Sequence, residues 1–172
     1  MPEWHAPISS FAKANGYVFW GDLAFCTVKA PVKGATVELW ISAMGSGRAR
    51  ATIEGTFGEY GVIYCRAKAK LVAELDVEVR RKTVLDRLIS RGRPSGNAEF
   101  DAKYVALGNA DHLRRLLTGT VVDAFVGMWK RTQGLCVEDQ LVALEGGQFS
   151  LAPTELAFIV ETVGTIAAAG TG

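Results

Sequence analysis

Reactive side chains are few in this chain of 172 residues. Its three cysteines, Cys26, Cys65 and Cys136, are an odd, scattered set with no CxxC pair and no neighbouring histidine. Their spacing builds neither a disulfide framework nor a zinc site, and it fits a reducing compartment. Only two histidines are present, His5 in what reads as a flexible end and His112 near a helix start, and no nucleophile partners either. Met44-Gly45-Ser46-Gly47-Arg48 has two glycines but lacks the Lys-Ser or Lys-Thr ending of a phosphate loop, so it reads as a hairpin. Long apolar runs are missing too. Leu156 to Ala169 is interrupted by Glu161 and is too short for a bilayer, and the first residues carry no signal-peptide pattern. The expectation is a soluble, cytoplasmic protein with no membrane span, no catalytic constellation, no metal and no cofactor.

An excess of one charge is also absent. Lys and Arg number 19 against 18 Asp and Glu, so no global field draws the chain to nucleic acid. The charges are nevertheless unevenly placed: Arg66 to Arg93 holds nine basic and four acidic residues, whereas beyond Arg131 there are five carboxylates and no Lys or Arg. Hydrophobic residues make up 49% of the chain, enough to suggest that a partner covers some apolar surface. Self-association, as a homodimer, is the simplest such partner, with another protein as the alternative.

Periodicity supplies the fold class. A short helix over Pro7 to Asn15, capped by Ser9 or Ser10, ends at Gly16. Strands follow at Tyr17 to Trp20 and Leu23 to Ala30, with a turn at Pro31 to Gly34 and clean alternation from Ala35 to Ala43. A strand-like run from Arg48 to Glu54 comes next. Alternation then runs from Val62 to Arg80, too long for one straight strand, so a bend near Lys70 and Leu71 is predicted. That makes an antiparallel meander of five or six strands.

Thr83 and Asp86 have capping-box spacing ahead of a short helix that Gly92 can end, and residues 93–97 form the one candidate internal boundary in a single domain spanning 1–172. A strand over Phe100, Tyr104 and Ala106 leads, through Gly108 and the cap Asn109, into a helical pattern from Leu113 to Trp129 that breaks near Thr118. A hairpin from Leu135 to Leu144 and a Pro153-initiated helix with a fraying end complete the chain. The sum is an α+β domain with helices on one face of an antiparallel sheet.

One constellation stands out. Arg48, Arg50, Arg66 and Lys68, with Lys70, fall on one face if their strands are neighbours, with Tyr64 and Trp40 between them. Basic residues interleaved with aromatics can hold phosphates or stack bases. Glu38, Glu54, Glu74 and Glu78 stand on equivalent faces and can neutralise the stripe, which is the commoner outcome.

The Phe100-Asp101 pair, the Tyr104-Val105 strand, Gly108 with Asp111, the Leu116-Leu117-Thr118 run and the hairpin and helix that follow resemble uncharacterised bacterial proteins of a domain-of-unknown-function class, over residues 99–168. Some proteins of that kind carry membrane-spanning segments, which this chain lacks. The resemblance implies no catalytic residue. The functional expectation is therefore a binding or interaction domain without catalytic machinery. Two alternatives accompany it: a small-ligand carrier, with a pocket left by Ala49, Ala51, Ala67 and Ala69 between sheet and helix, and an anion or nucleic-acid binder acting through the basic stripe.

Overall fold

The computed structural model describes residues 4–44, 62–89, 91–129, 131–132, 134–148 and 151–171. Helix α1 (His5–Ala14) buries Ile8, Phe11 and Ala12. It closes in a Schellman motif: Gly16 sits at φ +68°, and the Gly16 and Tyr17 amides donate to the Lys13 and Ala12 carbonyls. The helix starts ahead of Pro7, with Trp4 at the cap position and neither serine capping it.

Strands β1 (Val18–Gly21) and β2 (Phe25–Val32) are joined by a turn in which Asp22 Oδ1 accepts from the Ala24 and Phe25 amides. Pro31, expected in the next turn, lies inside β2; Lys33 and Gly34, both at positive φ, make the reversal into β3 (Ala35–Met44). Strand β4 (Val62–Lys70) stops at the predicted bend. The chain does not continue as the same strand, however. Leu71 to Asp76 is irregular, tied down by the Leu71 and Val72 amides donating to the Gln140 and Ala167 carbonyls, and β5 (Val77–Arg81) then joins different neighbours.

Helix α2 (Val84–Leu88) carries both halves of the Thr83–Asp86 capping box. Beyond it the strand reading of Phe100 needs correction. Ala98–Lys103 is a helix, α3, and β6 (Tyr104–Gly108) begins only after it. Phe100 and Tyr104 are four residues apart, a spacing that one helix face and one strand face share. The Asn97 side chain decides the matter by accepting from the Glu99 and Phe100 amides. Helices α4 (Ala110–Leu116), capped by Asn109, and α5 (Gly119–Trp129) break at Leu117 and Thr118 as predicted. The hairpin of β7 (Leu135–Glu138) and β8 (Leu141–Gln148) turns at Asp139 and Gln140. Helix α6 (Pro153–Ala167) follows; its end is not frayed, since Ala167 is fully buried.

The strands make one antiparallel sheet in the order β1-β2-β3-β4-β8-β7-β5-β6. With the helices on one side it is the α+β arrangement that the periodicity predicts. The described meander has four strands: the strand-like run from Arg48 to Glu54 lies outside the described residues, while β8 takes the place beside β4 and β5 crosses to the far side of β7. Helix α6 packs against β2, β3, β4 and β8, and Leu156, Ile159, Val160, Val163 and Ile166 are buried there. Gly164 permits the close approach: a Cβ at that position would stand 2.5 Å from Val32 Cγ1. Farther along the sheet, Phe100 stacks on Tyr104 and Phe125 meets both edge to face, with ring centroids 4.9 to 5.6 Å apart, and the Tyr104 hydroxyl donates to the Phe125 carbonyl.

Candidate functional site

Alternation that buries one face of a strand leaves the other to water. On β2 the buried set is Cys26, Val28 and Ala30, and on β3 it is Val37, Leu39 and Ile41. The opposite set is Phe25, Thr27 and Lys29 on β2, Glu38 and Trp40 on β3, and Arg66, Lys68 and Lys70 on β4. Register aligns these side chains in two rungs across the sheet. Trp20, Thr27, Trp40, Arg66 and Glu145 are successive partners, as are Val18, Lys29, Glu38, Lys68 and Ala143.

Arg66 and Lys68 are thus neighbours on one outer face, as expected. Arg48 and Arg50 lie outside the described residues, as do Glu54 and the side chain of Tyr64. Trp40 stands between the strands as anticipated, with Lys68 Nζ 4.5 Å above its ring. The neutralising carboxylate is Glu38, whose oxygens lie 3.0 Å from Lys29 Nζ and 3.4 Å from Lys68 Nζ. Hydrogen bonding from Lys29, helped by Lys68, holds the Glu38 carboxyl below its ordinary pKa. Glu78 is engaged elsewhere, with Arg80. Arg66 makes no ion pair among the described residues, although Glu145 is opposite it in register.

What sequence reading missed is the apolar part of this face. Trp20 is 55% exposed and Trp40 41%, the Trp20 and Phe25 rings lie 5.2 Å apart, and Val18 and Leu141 are also exposed. The signal was present: Val18 and Trp20 alternate with Phe19, so β1 presents apolar residues to both sides of the sheet. Two shallow cavities flank Trp40. One, of about 180 Å³, is lined by Arg66, Lys68, Leu141, Ala143 and Glu145 with Trp40 itself. The other, of about 260 Å³, is lined by Val18, Trp20, Thr27, Lys29 and Glu38 with Trp40.

His5, His112, Cys26 and Cys65 lie away from this face. His5 is not in a flexible end: its ring is buried against Trp4 and Phe19, both nitrogens are without a partner among the described residues, and desolvation lowers its pKa. His112 Nδ1 accepts from the Asp76 amide at 2.9 Å, tying α4 to the segment before β5. Burial pushes the Cys26 and Cys65 thiols up to about 12. No group of His, Cys, Asp and Glu able to hold a metal occurs among the described residues, and no described helix is long and apolar enough to cross a membrane. The outer face therefore supplies aromatic planes, fixed charges and apolar edges. No protein-family model, curated protein or solved structure matches this chain.

Proposed function

We propose that the protein is a non-catalytic interaction domain whose working surface is the outer sheet face, and that this face pairs two copies of the chain. The observation that carries the reading is the gathering of Val18, Trp20, Phe25, Trp40 and Leu141, all exposed large apolar side chains, on one side of neighbouring strands. A monomer rarely leaves so many together in water. Pairing two copies through this face is isologous, the same patch meeting itself across a two-fold axis. A carrier pocket between sheet and helix has less support, because the side chains of α6 fill the layer it would need.

Sedimentation velocity at micromolar concentration tests the proposal. A dimer is expected for the wild type, and Trp40→Ser should weaken it by about 2 kcal/mol, roughly thirtyfold in Kd, as for a central aromatic anchor. A wild-type monomer would contradict it. A second reading, an anionic ligand such as single-stranded nucleic acid on the same face, is favoured by Arg66, which has no ion pair among the described residues and stands beside Trp40. That reading requires oligonucleotide binding that falls steeply with salt and with Arg66→Ala.

A further inference from the structure

At the other edge of the sheet from the aromatic face, beside β5 and β6, α2 is built the wrong way round for a core helix. Its carboxylate, Asp86, is buried, whereas Val84, Leu85 and Leu88, with Ile89 just beyond, are between 56% and 77% exposed. At 3.6 residues per turn these four side chains span an arc of about 140°, one continuous aliphatic ridge. The ridge is held rigidly. Asp86 accepts from both terminal nitrogens of Arg80, at 2.7 and 3.0 Å, and from the Thr83 amide and hydroxyl, at 2.8 and 2.6 Å. The exit is pinned as well. The Arg93 amide donates to the Ala106 carbonyl on β6, and Gly92, at φ +105°, lies where a Cβ would meet Val105.

Cations gather beside the ridge. Lys82, Arg87, Arg91 and Arg93 line a cavity of about 200 Å³ in which Asp101 is the one carboxylate. Asp101 Oδ1 is occupied by the Ser95 amide, and Arg87, Arg91 and Arg93 make no ion pair among the described residues. The balanced charge of the whole chain hides this concentration.

We infer that α2 and its basic collar form a docking surface for an anionic lipid bilayer: Val84, Leu85, Leu88 and Ile89 enter the acyl boundary while Lys82, Arg87, Arg91 and Arg93 meet lipid phosphates. Two features select a bilayer as the occupant. The aliphatic side chains stand out as a convex ridge, the shape that enters a deformable apolar layer rather than receiving a partner's side chain. The collar is nearly uncompensated positive charge set beside the ridge, complementary to a negative leaflet. Because Arg80 and Thr83 already satisfy Asp86, insertion leaves no carboxylate exposed to lipid.

The test is co-sedimentation of the full chain with vesicles of phosphatidylcholine containing phosphatidylserine, and with phosphatidylcholine alone. Binding is expected to the anionic vesicles only and to weaken with salt. The Leu85→Ser/Leu88→Ser variant should lose at least about tenfold per side chain. Each of Arg87→Gln and Arg91→Gln should lose about fivefold. All four sites are exposed, and far-UV circular dichroism checks that the variants keep the fold. Absence of binding to anionic vesicles, equal binding to neutral ones, or unchanged binding by the double serine variant would each overturn the inference.

Discussion

Replacing Gly164 by alanine tests how α6 is seated on the sheet. In an exposed helix the change should stabilise by about 1 kcal/mol, because glycine is the poorer helix former. Here the new Cβ would lie 2.5 Å from Val32 Cγ1 and 2.6 Å from Val32 Cβ, against an ordinary carbon–carbon separation of about 3.5–4.0 Å. Helix and strand must part by about 1 Å, loosening Ile159, Val160, Val163 and Ile166 on the same helix. Overpacking of this kind costs about 1–3 kcal/mol, so the clash outweighs the propensity gain and Gly164→Ala should destabilise by about 1–2 kcal/mol. Urea unfolding followed by far-UV circular dichroism measures the effect. Val32→Ala removes the nearer contact but keeps its own Cβ, so it should reduce the penalty of Gly164→Ala by about 1 kcal/mol without abolishing it. A Gly164→Ala protein more stable than the wild type would refute the packing of α6 on β2 described above.

The other predictions concern titration and reactivity. Asp86, held well below the usual carboxylate range chiefly by its hydrogen bonds from Arg80, contributes stability that is present above about pH 4 and is lost as the pH falls toward its folded-state pKa. Asp86→Asn should therefore be less stable near neutrality and show a shallower acid limb in unfolding midpoints against pH. His5 has the opposite protonation preference: its folded pKa is lowered by desolvation, so the unfolded chain takes up the proton first and stability falls as pH drops below about 6.5. His5→Leu should remove that dependence in thermal melts. With Cys26 and Cys65 buried and their thiols pushed up to about 12, a thiol reagent at neutral pH should leave both unmodified in the native protein and react with all three cysteines in denaturant.

The parts of this structure legible in the sequence are those where one signal stands alone. Alternation at Val37, Leu39 and Ile41 names the buried face of β3 unambiguously, Thr83 with Asp86 names the start of α2, and Pro153 names that of α6. Where two signals coincide, the reading fails. Phe100 and Tyr104 satisfy both periods, and the local hydrogen bonds of Asn97 choose the helix. Leu71 and Leu75 keep the alternation of β4 and are buried, yet they belong to an irregular connection whose backbone bonds to Gln140 and Ala167, residues remote in sequence.

The candidate site was half visible for the same reason. Arg66 and Lys68 share a face by parity alone, whereas the placing of Trp40 opposite Arg66 comes from the pairing of β3 with β4. Trp20 and Phe25 sit beside apolar residues on both parities, so alternation could not say which faced outward. The aliphatic ridge of α2 was misleading in a different way. Leu85, Leu88 and Ile89 have the spacing of a core stripe, and only the bonds from Arg80 to Asp86 turn that stripe toward solvent.

The outer face is the centre of the functional account, and the four tryptophans of the chain make it measurable. Trp4 is buried and Trp129 half-buried in the fold, whereas Trp20 and Trp40 are exposed on the sheet. Hydroxyl-radical footprinting across a concentration series reads all four at once. The account predicts that Trp20 and Trp40 become protected as the protein is concentrated while Trp4 and Trp129 do not change. Unchanged labelling of Trp20 and Trp40 at every concentration would contradict it.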